Sequence, residues 1–166
     1  VDAAQAVGRV RFDVMTAGCD TASLSAHKFY GPKGIGALYL GAGAAMRPEP
    51  IMFGGGQESA LRPGTLPVTL IVGMGAAAAL AEERLGEGSR LADLAELFHT
   101  ELGRQGVDAV INGAGAPRLP GSINLRIEGT DAEDIVQRLA VDLHLSTGSA
   151  CQSGQLAGSY VLAAMG

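Results

Sequence analysis

The stretch from Val68 to Leu85 is apolar nearly all round and rich in alanine. A helix without a polar face has to be covered on every side. This segment is therefore predicted to be a buried helix, and the rest of the chain has to supply the layers around it. Thr69, Gly73 and Gly75 interrupt it, and no apolar run reaches the roughly 20 residues that a membrane span needs. The 166 residues are 47% hydrophobic and 17% charged, enough to form a core and too apolar for a disordered polyampholyte. That length suits one ordinary domain or pieces of two. The net charge of −5 argues against a basic nucleic-acid surface, so neither nucleic acid nor membrane is expected as a partner. The start carries no signal-peptide pattern. Cys19 and Cys151 lie too far apart to read as a disulfide framework, and a reducing cytoplasm is the expected location.

Turn chemistry divides the remainder. The first residues, Val1 to Val14, hold short apolar stretches with a turn near Gly8. Ala22 to Ser25 is a strand candidate, Gly31-Pro32-Lys33-Gly34 a turn, and Gly36 to Leu40 a buried strand. Gly41 to Pro67 is rich in loops. Gly86 to Ser89 is the expected boundary, with Ser89 capping a helix that runs to about Gly103. Strands are predicted at Ala109–Ile111, Ser122–Ile127 and Leu143–Thr147. Thr130-Asp131-Ala132-Glu133 matches a capping box at the head of a further helix. Gly148 to Gly158 reads as a mobile loop, and Tyr160 to Ala164 opens a last helix. The fold class is α/β, with a glycine-rich first part and a βαβ-like second part.

Chemistry concentrates in two places. The two lysines, Lys28 and Lys33, stand in one segment, Ser25-Ala26-His27-Lys28-Phe29-Tyr30-Gly31-Pro32-Lys33-Gly34. A desolvated amine beside a histidine is a candidate Schiff-base nucleophile, because a lowered pKa frees its lone pair for a carbonyl. Arginine, always protonated, cannot do this. The bland alternative is a solvated turn with two surface lysines. Ser25 and His27, two apart, can both face an anion such as a phosphate. Asp2, with Gln5 nearby, is either an ordinary helix cap or a carboxylate that holds a ring nitrogen protonated. The second place is Cys151, set among small polar residues from Ser146 to Gly154. It is either a swinging nucleophile or a small buried hydrophobe. Cys19 has no metal-ligand spacing around it and reads as a bystander, and His99 and His144 read as structural. Gly54-Gly55-Gly56-Gln57-Glu58 with Leu61-Arg62-Pro63-Gly64-Thr65 reads as a flexible loop rich in donors, able to meet a phosphate through backbone amides and the Thr65 hydroxyl.

Taken in order, four pieces resemble cysteine desulfurases of the NifS/IscS type. They are Val1-Asp2-Ala3-Ala4-Gln5-Ala6-Val7-Gly8, then Ser25 to Gly36, then the Gly54–Glu58 and Leu61–Thr65 pair, and last Ser146 to Cys151 with Ser159-Tyr160-Val161-Leu162. The resemblance implies a fold type I pyridoxal-phosphate enzyme of the class V aminotransferase family. Residues 1–86 would be part of the cofactor-binding large domain, and 87–166 part of the smaller α/β C-terminal domain carrying the cysteine loop. It implies Lys28 as the residue that forms the Schiff base, Asp2 as partner of the pyridine nitrogen and Gln5 as partner of the ring hydroxyl. Ser25 and His27 would be phosphate ligands, and Thr65 a phosphate ligand given to the neighbouring subunit of a homodimer. Cys151 would take sulfur from L-cysteine as a persulfide, leaving L-alanine, and pass it to an acceptor such as an iron–sulfur scaffold protein or a thio-modification pathway. No metal is implied. The family's ring-stacking aromatic would precede Val1, and its substrate-carboxylate arginine would follow Gly166. The chain is thus expected to be an internal or C-terminal fragment that binds pyridoxal phosphate poorly or not at all when isolated. Two alternatives stay open: another fold type I lyase, such as selenocysteine lyase, that uses Lys28 without Cys151, or a truncated subunit without catalysis.

Overall fold

The computed structural model describes residues 1–148 and 159–165. These fall into two units. The first comprises Val1–Ala95 with Arg118–Ser122, and the second comprises Glu96–Pro117 with the chain from Ile123 onward.

In the first unit, β1 (Thr21–Ser25) and β2 (Gly36–Leu40) form an antiparallel pair, with Thr21 opposite Leu40 and Ser25 opposite Gly36. Gly36 is required there, since a Cβ would sit 2.4 Å from the Leu24 carbonyl oxygen. The first residues run parallel to β1 on its other side. Asp2 bridges Ser23, the Ala3 N–H donates to the Ser23 carbonyl at 3.0 Å, and the Ser23 N–H donates to that of Val1 at 3.0 Å. A 3-10 turn, Ala26–Phe29, follows β1 directly. Helix α1 (Val68–Glu83) packs on this turn through Ala77, and Ala26, Phe29 and Ala77 form the core with Val7, Ile35, Met74 and Ala81 against it. Asp13 closes a turn by accepting the N–H groups of Met15 (2.8 Å) and Thr16 (3.3 Å). Those two bonds, Met15 first, hold its carboxyl below the usual value.

The predicted helix over Val68–Leu85 forms, but it is not buried. Ala77 alone is enclosed, while Val68, Val72 and Leu80 are more than half exposed. The reason is supply: the layers that an all-apolar helix needs are not provided by the described residues. Strand β2 likewise forms without burial, with Leu38 53% exposed. No helix of the described residues is long and apolar enough to cross a membrane.

Helix α2 (Glu87–Arg104) starts two residues ahead of the expected cap. Ser89 lies inside its first turn, where the hydroxyl donates back to the Gly86 carbonyl at 3.1 Å. In the second unit, β3 (Ala109–Ile111) and β4 (Leu125–Ile127) pair antiparallel, and the Asn112 side chain donates to that of Asn124 at 2.7 Å just beyond. The order is therefore ββα rather than βαβ-like, because among the described residues no strand follows the helix at Ala132–Leu139, and β4 pairs antiparallel with β3 instead. Strand β4 is shorter than Ser122–Ile127, as Leu119 and Ser122 are tied in a turn. Helix α3 (Ala132–Leu139) is capped by Asp131, whose Oδ1 accepts from the N–H groups of Glu133 (2.8 Å) and Asp134 (3.0 Å). The Thr130 hydroxyl donates to the Ile127 carbonyl instead of capping. Leu143–Thr147 is not a strand. Helix α4 (Tyr160–Met165) stands where the last helix was predicted. His99 joins α2 to the start of β3, its Nε2 lying 3.0 Å from the Ala109 carbonyl.

Candidate active site

Four of the predicted site residues, Asp2, Ser25, His27 and Lys28, lie on β1, on the turn after it or on the segment beside it. Ser25 closes the strand, and its Oγ is hydrogen-bonded to His27 Nδ1 at 2.9 Å. The turn then buries Ala26 and Phe29 almost completely, which anchors Lys28 between two fixed neighbours. An anchored backbone on both sides is how a fold aims a long, rotamer-rich amine. Lys28 itself is half-buried and His27 exposed. On the neighbouring chain, Asp2 Oδ1 accepts the Ala4 N–H at 2.9 Å and the Ser23 hydroxyl at 3.3 Å. Asp2 thus does cap the turn that follows it, while its register against Ser23 carries it alongside β1. Gln5 lies further along that turn and is exposed. Thr65 belongs to a separate segment, exposed, beyond a left-handed turn at Gln57–Ala60.

Lys28 also lines a cavity of about 280 Å³ within the first unit, together with Arg9, Ala77, Arg84 and Glu87. Asp2, Gln5, Ser25, His27 and Thr65 are not among its walls. Reading the sequence missed Arg9, Arg84 and Glu87, because nothing in their spacing ties them to Lys28. Cys151 lies outside the described residues, as does most of the loop Gly148–Gly158. Cys19 is half-buried, with its thiol 3.8 Å from the Val14 carbonyl.

The class-V aminotransferase family matches residues 1–162, and the chain belongs to that family. It is 43% identical to a cysteine desulfurase of Rattus norvegicus over 166 residues, which is 99% of this chain and 37% of the relative. Among solved structures it resembles a NifS-like protein from Rickettsia africae, with a TM-score of 0.80 and 30% identity over 89% of this chain and 41% of that one. It also resembles SspA in complex with cysteine, with a TM-score of 0.73 and 36% identity over 99% of this chain and 45% of that one. The chain spans about two fifths of the length of the curated relatives it matches.

The family is one of pyridoxal-phosphate-dependent enzymes. The donor set at β1 fits such a group. It offers an amine for an aldehyde, a hydroxyl–imidazole pair for a phosphate and a carboxylate for a ring nitrogen, carried on two adjacent chain segments.

Proposed function

We propose that this chain carries part of the machinery of a cysteine desulfurase, which takes sulfur from L-cysteine and leaves L-alanine. The observation that carries the reading is the Ser25–His27 pair with Lys28 on the turn after β1, and the Asp2 carboxylate accepting the Ser23 hydroxyl beside that strand. The 43% identity to a cysteine desulfurase and the likeness to a structure holding cysteine support the substrate. The chemistry supplied by bound pyridoxal phosphate is an electron sink for the charge left on the substrate as its C–S bond breaks.

In this reading Ser25 and His27 hold the phosphate, and Asp2 keeps the ring nitrogen protonated. Gln5 meets the ring hydroxyl, and Thr65 reaches the phosphate of the neighbouring subunit in a homodimer. Lys28 bonds the cofactor at rest and, once displaced, moves a proton to and from the substrate carbon. The Cys151 thiolate attacks the substrate sulfur. The substrate's C–S bond breaks, an S–S bond forms, alanine leaves, and Cys151 keeps a persulfide. An external acceptor, an iron–sulfur scaffold or a thio-modification enzyme, then takes the sulfur in a reducing cytoplasm. Residues 1–86 serve the large domain, and 87–166 the small domain.

The test supplies pyridoxal phosphate and L-cysteine to a full-length protein that contains this chain, then measures alanine and the mass of the Cys151 peptide. We expect alanine release together with a gain of one sulfur at Cys151, and loss of both in Lys28→Ala. Cys151→Ser should remove persulfide and turnover while leaving the cofactor's absorbance in place. Alanine released at full rate by Cys151→Ser would mean a lyase that does not use this thiol.

A further inference from the structure

The Gly54–Gly56 run and the segment after it, read from sequence as a flexible loop, form a braced structure. Three consecutive residues other than glycine hold left-handed backbone: Glu58 (φ 51), Ser59 (φ 57) and Ala60 (φ 64). Such conformations cost energy for L-residues and persist only where the surroundings over-determine them. Here the surroundings are visible. The Ala60 N–H donates to the Gly56 carbonyl at 3.2 Å, and the Leu61 N–H to that of Glu58 at 3.1 Å. Gln57 Oε1 accepts the Gly64 N–H at 3.2 Å, closing the loop on itself. Arg62 Nη1 reaches the carbonyls of Pro63 (3.3 Å), Gly64 (3.1 Å) and Thr65 (3.4 Å), three in succession.

The glycines are fitted to this brace. A Cβ on Gly55 would lie 2.5 Å from Gln57 Oε1, and one on Gly54 would lie 3.0 Å from the Pro63 ring. Gly64 has φ +100, which L-residues rarely adopt. A mobile donor loop has no need of such close approaches.

We infer that Gln57 and Arg62 are positioning residues that fix the backbone on which Thr65 is presented to an anionic group. The inference rests on the reading of Thr65 as a phosphate ligand. The brace lowers the ordering cost that a free loop would meet on binding, so it acts on retention of the phosphate-bearing cofactor.

The test reads two quantities. Amide hydrogen exchange at Gly64 and Thr65 reports the brace without the cofactor. The rate of pyridoxal phosphate release after dilution, followed by absorbance, reports its use. Gln57→Ala should raise Gly64 exchange by about fivefold, the worth of one neutral hydrogen bond, and speed cofactor release. Gly55→Ala should do the same with Gln57 itself kept, because the added Cβ would crowd Gln57 Oε1 off the Gly64 N–H. Gln57→Glu keeps an acceptor oxygen and should restore both readings. Arg62→Ala, which removes the donor shared by the Pro63, Gly64 and Thr65 carbonyls, should raise exchange at Thr65. Unchanged exchange in both Gln57→Ala and Gly55→Ala overturns the brace, whatever Thr65 does. Unchanged cofactor release in Thr65→Ala overturns the phosphate role of Thr65 and with it the brace's purpose, so the two failures are told apart.

Discussion

At the scale of single residues, position matters more than type. Lys28 differs from Lys33 by its flanks: Ala26 and Phe29 are fully enclosed, whereas Lys33 sits in an exposed turn. Both lysines are equally visible in the sequence, and the segment's composition already singles out the pair. Which one is anchored follows from α1 packing on the 3-10 turn, a contact nearly fifty positions away in sequence. Ser25 and His27 are legible as a pair because their spacing of two is local, and the structure joins them at 2.9 Å. The backbone of Ser59 carries a prediction of its own. Glycine removes the left-handed penalty of about 1 kcal/mol or more, while its freer unfolded chain takes part of that back. Ser59→Gly should therefore stabilise the chain by roughly 0.5 kcal/mol, read as a raised urea midpoint at constant slope. A lowered midpoint would show that the Ser59 conformation is not strained.

At the scale of elements, sequence patterns located almost every helix, and the terminal chemistry decided where each begins. Thr130 and Asp131 are both acceptable caps, and a four-residue motif cannot choose between them. The structure assigns the cap to Asp131, because its carboxylate meets two N–H groups of α3 while Thr130 turns back to Ile127. Asp131→Ala should cost about 1 kcal/mol, and Thr130→Ala distinctly less, in urea unfolding followed by helical circular dichroism. Equal losses would restore the capping-box assignment. Ser89 illustrates the same limit, since a hydroxyl three residues past Gly86 bonds back to that carbonyl and α2 has begun by then. Strand length is the weaker inference. Alternation over Ser122–Ile127 marks a face, but only Leu125–Ile127 finds a partner strand.

For the whole molecule, enclosure is the scarce quantity. The core among the described residues consists of Ala3, Ala22, Ala26, Phe29 and Ala77, with one large side chain in it. Phe29→Ala should then cost about 3–5 kcal/mol, most of what a small domain has, and the variant should unfold in dilute urea. Val72→Ala, at a position 65% exposed, should change stability by no more than about 0.5 kcal/mol. A large loss at Val72 would mean that its face is covered in solution. Helices α1 to α4, the positions of strands β1 and β2, and the Ser25–His27–Lys28 segment are legible in the residues alone, since each follows from periodicity, turn residues or motif spacing within a few positions. The pairing of β1 with β2, the open faces of α1 and β2, the cavity that Arg9 and Arg84 share with Lys28, and the brace of Gln57 and Arg62 before Thr65 come from the folded chain. Burial, cavities and closed loops depend on which distant segments meet, and a local pattern carries no information about a surface that another segment has yet to cover.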